Sequence, residues 1–220
     1  MKNKSLFIVI EGLDGSGKTT ASKALAKILN DKLGTVKSTF EPNNDLVAGQ
    51  YIRDILAKKD THFDPNVLPL AFATNRLDHC HRVITPWLEG GDNRIVICDR
   101  FYLSSLVYQS NAHTSFEKIM LLNEYARKPD VIFFINVDAK VCYERMQIRN
   151  QPEELFEQNL DETRQKYFAA MAFLKQNHGD NIVEIDGSGT VEEVVENLLQ
   201  AIENIHPTIN SGRFQSPDNQ

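Results

Sequence analysis

The chain has 220 residues, and 24 Lys and Arg against 30 Asp and Glu leave a formal net charge of −6. That acidity argues against a protein that grips a nucleic-acid backbone, which needs a basic face to displace counterions. With 41% hydrophobic and 25% charged residues, the composition is globular and excludes a wholly disordered chain; a chain this long needs no disulfide or metal staple.

In chain order, the first strand is expected at Leu6–Ile10 (LFIVI). Its apolar run stops at Glu11, too short for a secretory signal, and no later run approaches the roughly 18 apolar residues of a membrane span. Directly after it, Gly12-Leu13-Asp14-Gly15-Ser16-Gly17-Lys18-Thr19 satisfies G-x-x-x-x-G-K-[ST]. The motif opens a helix from Thr19 to Leu33, with Ala21, Ala24, Leu25 and Ile28 at helical spacing and Gly34 as the stop. Strand, glycine turn and helix N-terminus in that order form a phosphate cradle. Backbone N–H groups point inward, Lys18 reaches the β/γ-phosphates, and the Thr19 hydroxyl suits Mg²⁺. The motif therefore predicts binding of a nucleoside triphosphate.

A second strand, Val36–Phe40, precedes a helical stretch from Leu68 to Leu88 whose apolar stripe is Leu70, Leu77 and Ile84. Phe72 lies about 200° around the helix from Leu70 and shares its face with Asn75, Arg76 and His79 at i+3, i+4 and i+7. Two readings fit: a platform for a planar, hydrogen-bonding ring, or a helix buried on two sides with Arg76 in a salt bridge. The third strand, Ile95–Cys98, ends in Asp99-Arg100. A cation there lies where phosphates bind, at the carboxyl edge of a sheet. No NKxD-type guanine-reading motif occurs, and the strand lacks the Asp-Glu ending common in motor ATPases. Strands at Val131–Val137 and Ile182–Ile185 follow. Asn150 to Glu157 reads as a mobile loop between helices, and Thr190-x-x-Glu193 as a capping box opening a helix through Ile205.

The alternation predicts an α/β three-layer P-loop fold: a five-stranded parallel sheet with helices on both faces, in one domain over 1–205. The polar stretch His206–Gln220 is expected to be a disordered tail. Cys80, Cys98 and Cys142 are far apart and form no CxxC pair, which suits a reducing cytoplasm.

Taken together, four segments resemble the thymidylate kinases of the P-loop nucleoside monophosphate kinase group, over about Leu6 to Ile205. They are Glu11–Thr20 (EGLDGSGKTT), Phe72–Arg76 (FATNR), Asp99–Gln109 (DRFYLSSLVYQ) and Lys128-Pro129-Asp130 before a strand. The resemblance implies ATP-dependent phosphorylation of dTMP to dTDP with Mg²⁺, and a homodimer. ATP would be held by Gly12, Leu13, Asp14, Gly15, Ser16, Gly17, Lys18, Thr19 and Thr20. Phe72 would stack on thymine and Arg76 would bond its carbonyl edge. Arg100 would hold the monophosphate, Ser105 and Gln109 would lie near the base, and Tyr108 would crowd the sugar 2′ position. Asp14 would contact the deoxyribose hydroxyl or, with Thr19, the Mg²⁺ shell. A lid at about 145–157 carries Arg145 and Arg149, and Asp186–Thr190 would pack near adenine. Lys18, Arg100, Asp14 and the lid arginines form the expected catalytic set.

Two departures stand out. Glu41-Pro42-Asn43-Asn44-Asp45 replaces the Glu-Pro-Gly-Gly-Thr of many relatives, with Arg53 as a further candidate phosphate contact. Gly15 replaces an arginine found in some relatives, so the transition-state cation must come from the lid, Arg149 or Arg145. Arg164 is a weaker candidate, because Asp161 and Glu157 at helical spacing are suited to pair with it. Competing readings are a kinase for another nucleoside monophosphate or deoxynucleoside, and a nucleotide-gated binding module.

Overall fold

A computed structural model describes residues 5–149 and 159–207. Most of the expected lid, from 150 onward, and the expected tail from 208 lie outside the described residues, as does the side chain of Arg149.

The five apolar runs form β1 (Leu6–Gly12), β2 (Val36–Phe40), β3 (Ile95–Asp99), β4 (Val131–Asn136) and β5 (Ile182–Asp186), all parallel, in the order β2-β3-β1-β4-β5. All seven residues of the central strand are buried, as a strand covered on both faces requires. In register, Ile10 lies opposite Asp99 and also opposite Phe133. The carboxyl ends of β1 and β3 thus meet where the strand order reverses, the place at which open α/β sheets bind ligands.

The helices are α1 (Lys18–Leu33), α2 (Val47–Leu56), α3 (Val67–His79), α4 (Thr85–Glu89), α5 (Tyr102–Gln109), α6 (Phe116–Leu122), α7 (Ala139–Arg149), α8 (Leu160–His178) and α9 (Val191–Ile205). Stepping from β1 to β2 and from β3 to β4 runs in opposite directions along the sheet. Right-handed crossovers therefore place α1 on one face, where α9 packs on it, and α5 with α8 on the other. Local chemistry sets several boundaries. Gly34 ends α1 with φ 67° and donates to the Asn30 carbonyl at 2.7 Å. The Thr190/Glu193 capping box opens α9, with Thr190 N donating to Glu193 Oε2 at 2.7 Å. In the Lys-Pro-Asp segment, Lys128 caps the C-terminal carbonyls of α8 while Asp130 Oδ2 accepts the Phe7 amide at 2.8 Å. That motif ties β4 to β1 and α8 rather than touching a ligand.

One expectation is corrected. The run from α3 through a π-helical turn (Cys80–Ile84) to α4 is continuous, but its supposed core stripe is only partly a core. Ile84 is fully buried, whereas Leu70 and Leu77 are 54% and 46% exposed. The buried residues of α3 include Asn75, Arg76 and His79. Its inward face is polar because acceptors elsewhere in the fold meet each of these groups.

Candidate functional site

The phosphate cradle forms as its motif requires. Gly17 caps α1 with φ 87°, a left-handed value that a side chain would resist, and Ser16 N donates to the Leu13 carbonyl at 3.1 Å. Leu13 is buried and anchors the loop, and Thr20 is exposed on α1. Gly15 has φ 81°, and a Cβ there would lie 2.4 Å from the carbonyl oxygen of Cys142. The first turns of α7 therefore press on the loop and exclude the arginine some relatives carry at this position. In its place α7 brings Arg145, whose Nη1 donates to Ser16 O at 3.3 Å and to Gly187 O at 3.4 Å. Arg145 so ties the cradle to the 186–190 loop, and Arg149 ends the same helix.

At the mouth of the cradle, cations and carboxylates interlock. Lys18 Nζ donates to Asp14 Oδ1 at 2.9 Å and to Leu13 O at 3.2 Å, and Arg100 Nη2 bonds the same Asp14 oxygen. Burial alone would raise the Asp14 pKa; Arg100 and Lys18 outweigh it and hold the carboxyl well below the usual range. Arg100 has a left-handed backbone, φ 68°, a strained state that persists only where surroundings fix it. They do so through Ser104 Oγ at 2.9 Å and Tyr167 Oη at 3.2 Å, and the guanidinium lies 5.2 Å from the Tyr108 ring centroid. Behind this group Glu11 accepts from the Phe101 and Ser104 amides, at 2.8 and 3.1 Å, and from Ser104 Oγ at 2.6 Å. Burial raises its pKa, against the pull of Arg100 and these bonds. Burial likewise pushes the Tyr108 hydroxyl up to about 12.

Asp14 is thus engaged by two cations, and Asp99 rather than Asp14 sits beside Thr19. Thr19 Oγ1 donates to Asp99 Oδ2 at 2.5 Å, while Asp99 Oδ1 is buried without a partner. A hydroxyl and a carboxylate with an open oxygen are the hard-oxygen chemistry that Mg²⁺ takes. The Thr19 hydroxyl is thus bonded to Asp99, while Asp14 is bonded to Lys18 and Arg100.

A cavity of about 470 Å³ opens from the cradle. Asp14, Lys18, Thr19, Asp99 and Arg100 line one end; Phe72, Tyr108, Gln109, Glu41 and Arg53 line the rest. Among the described residues, the buried side-chain polar atoms without a partner are Ser16 Oγ, Asp99 Oδ1, Ser105 Oγ and Gln109 Oε1. Buried polar groups in folded proteins are normally bonded. All four belong to segments around this site, and Asp99 and Gln109 line the cavity itself. Arg76 does not line the cavity. It is 1% exposed, with Nε donating to Glu41 Oε2 at 2.7 Å and Nη1 to Asn123 Oδ1 at 2.6 Å.

Arg53 Nε donates to Asn44 Oδ1 at 3.0 Å, so an asparagine of the divergent loop touches this candidate. Arg164 does not pair with Asp161. Its Nε donates to Asn136 Oδ1 at 3.0 Å and its guanidinium covers Phe168, while Glu157 lies outside the described residues. Sequence reasoning passed over Glu11, Ser104 and Tyr167 behind Arg100, and Asn123 beside Arg76. Ser104 stands four residues from Arg100, but the bonds Asn123–Arg76, Ser104–Glu11 and Tyr167–Glu11 span 47, 93 and 156 residues, beyond any local pattern.

Comparison with known proteins agrees with this geometry. The family model described as thymidylate kinase matches residues 10–198. A probable thymidylate kinase of Methanocaldococcus jannaschii is 37% identical over 91% of this chain and 97% of its own length. The thymidylate kinase of Halalkalibacterium halodurans is 33% identical over 90% of this chain and 96% of its own. The crystal structure of thymidylate kinase from Ehrlichia chaffeensis superposes with a TM-score of 0.66 at 27% identity, covering 90% of this chain and 99% of that one. With the cradle, the Asp99–Arg100 strand end and the Phe72 wall on one cavity, this chain belongs to the thymidylate kinase family.

Proposed function

We propose that this chain transfers the γ-phosphoryl group of ATP to the 5′-phosphate of dTMP, giving dTDP and ADP. The observation that carries the reading is one cavity with a phosphate cradle at one end and an aromatic–amide wall at the other, with Arg100 between them. A nucleotide-gated module has no use for the second wall. The acceptor oxygen, already anionic near neutral pH, attacks the γ-phosphorus as the bond to the β-bridging oxygen breaks, and ADP carries away the released charge. No side chain has to take a proton. Catalysis is positioning and charge neutralisation by Lys18, Arg100 and an α7 arginine, Arg145 or Arg149. Thr19 and Asp99 would hold Mg²⁺, whose charge would offset that on the β- and γ-phosphate oxygens.

On the acceptor side Phe72 stacks on the base with Gln109 and Ser105 near it, each carrying a buried oxygen without a partner, and Arg76 braces the Glu41 that lines the cavity. Tyr108 lies beside the sugar, and Arg53 with Arg100 holds the monophosphate. Three free, buried cysteines suit a reducing cytoplasm. Among the described residues, no helix is long and apolar enough to cross a membrane. The test is ADP release from ATP with a panel of nucleoside monophosphates and deoxynucleosides. dTMP should be turned over fastest; ADP release independent of the acceptor, or faster with another acceptor, would overturn the reading.

A second copy of the chain is the proposed partner. Leu70 and Leu77 on α3, and Leu121 and Tyr125 at α6, are 54%, 46%, 65% and 76% exposed, and α3 packs against α6. Apolar groups left on adjoining helices suit an isologous interface. Sedimentation should give a dimer that the double variant Leu77→Glu, Leu121→Glu splits; a monomeric parent chain would remove the proposal.

A further inference from the structure

Glu11 stands on β1 directly before the cradle, is 0% exposed and does not line the cavity. Its two carboxylate oxygens have different partners. Oε1 accepts the Phe101 and Ser104 amides at 2.8 and 3.1 Å. These open α5, whose N-cap residue, Phe101, offers no side-chain bond of its own. Glu11 therefore caps α5 from 90 residues away. Oε2 instead accepts from hydroxyls, Ser104 Oγ at 2.6 Å and Tyr167 Oη at 3.3 Å. Arg100 Nη1 donates to the same two hydroxyl oxygens, at 2.9 and 3.2 Å. Carboxylate, hydroxyls and guanidinium thus form one chain of bonds that ends on the cation between cradle and acceptor wall.

A hydroxyl has one proton, and arginine has only donors. Ser104 directs its proton to Glu11, which leaves its lone pairs for Arg100. Tyr167 does the same and has the Gly12 carbonyl, at 3.3 Å, as a second acceptor. The chain keeps this direction only while an acceptor stands behind Ser104. A carboxylate accepts on both oxygens. An amide of the same shape would still cap α5 through its oxygen, but it would meet the hydroxyls with a donor. Ser104 lines the cavity and Glu11 does not, so any effect of Glu11 on a ligand passes through Ser104 and Arg100. We propose that Glu11 is a positioning residue: it polarises the Ser104 hydroxyl toward Arg100 and so aims that guanidinium at the acceptor phosphate. The inference rests on the reading of Arg100 as the holder of the monophosphate, and adds to it what fixes the direction of that arginine.

The two oxygens of Glu11 separate positioning from folding. Glu11→Gln keeps the shape and the cap and reverses the polarity behind Ser104; Ser104→Ala removes the relay itself. Steady-state kinetics give the KM for dTMP and for ATP in the parent chain, both single variants and the double variant. Glu11→Gln should raise the KM for dTMP about tenfold and leave that for ATP within about threefold. Ser104→Ala should do the same, and the double variant should be no more than about twofold worse than the weaker-binding single one, because both break one chain of bonds. A KM for dTMP unchanged or lowered in Glu11→Gln would show that Glu11 only offsets charge, and would overturn the positioning role. Equal rises for both nucleotides, or effects of the two substitutions that multiply, would overturn it as well. If Glu11→Gln does not fold, Glu11→Asp, which draws both oxygens back by one methylene, gives the same readout. A parent chain that phosphorylates another nucleoside monophosphate instead would refute the dTMP reading alone, and the variants would be compared with that acceptor. Turnover of no monophosphate would overturn both.

Discussion

At the donor end of the cavity, eight consecutive residues, Gly12 to Thr19, supply the whole cradle, mostly through backbone geometry. At the acceptor end the wall draws on Glu41, Arg53, Phe72, Tyr108 and Gln109, from four separate stretches of chain, with Arg76 and Asn123 bonded behind Glu41, and works through side chains. Phosphate is the same in every nucleotide, so a rigid local loop recognises it. A base is recognised by its edge, and an edge needs donors and acceptors fixed from several directions. Substitutions in the cradle should therefore remove turnover, and those in the wall should redirect it.

The largest effect is expected at Lys18. Lys18→Ala removes the cation that bridges Asp14 and the phosphate site, and kcat/KM should fall about 10³-fold or more. Circular dichroism should stay native, since the lost ion pair is local. A variant within tenfold of the parent would show that the cradle acts by backbone alone. Gly15→Ala comes next and tests the same end sterically. Its Cβ would lie 2.4 Å from Cys142 O at φ 81°, so α7 must move. Stability should fall by about 2 kcal/mol or more, a Tm drop of at least roughly 4 °C for a chain of this size. Activity should fall with it, because Arg145 rides on the displaced helix. An unshifted Tm would show that α7 does not press on the loop.

The same contrast explains what could be read without a structure. The strands, the α1 stop at Gly34 and the Thr190/Glu193 box were legible because each depends on neighbours within about one helical turn. So was the cradle. The Thr19–Asp99 bond was not, because it spans 80 residues. α3 misled for a related reason. Its leucines have the period of a core stripe, yet they face outward, because Glu41 and Asn123 satisfy Arg76 from 35 and 47 residues away. The readable signal was the polar set Asn75, Arg76 and His79 at helical spacing beside Phe72. It supported both a ligand platform and a buried salt bridge, and Arg76 does form the buried pair.

Phe72→Ala tests the acceptor end. Stacking of a base on an aromatic ring contributes about 1–3 kcal/mol, so the KM for dTMP should rise roughly 5- to 150-fold while that for ATP barely changes. Equal rises for both nucleotides would make Phe72 a packing residue shared by the whole cavity and would erase the distinction between the two ends.

The smallest effect separates the two asparagines of the divergent loop. Asn43 is 5% exposed; its amide donates to Asn75 Oδ1 at 2.8 Å, its carbonyl accepts from Asn75 Nδ2 at 3.0 Å, and its own Oδ1 accepts the Asp45 amide at 3.0 Å. The first two bonds use only the backbone, so a glycine at this position in relatives can keep them, and the third is a local turn that steadies the loop. Asn44 is exposed, and its one bond to Arg53 is made near solvent. Asn44→Gly should therefore raise the KM for dTMP by no more than about threefold, in keeping with an exposed hydrogen bond of about 0.5 kcal/mol. Asn43→Gly should leave that KM nearer the parent value and show itself in Tm instead. If Asn44→Gly weakened dTMP tenfold, Arg53 would depend on this loop for its aim. The acceptor phosphate would then be held by side chains fixed from a distance, as the base is, and the donor cradle would stand alone as the locally built half of the site.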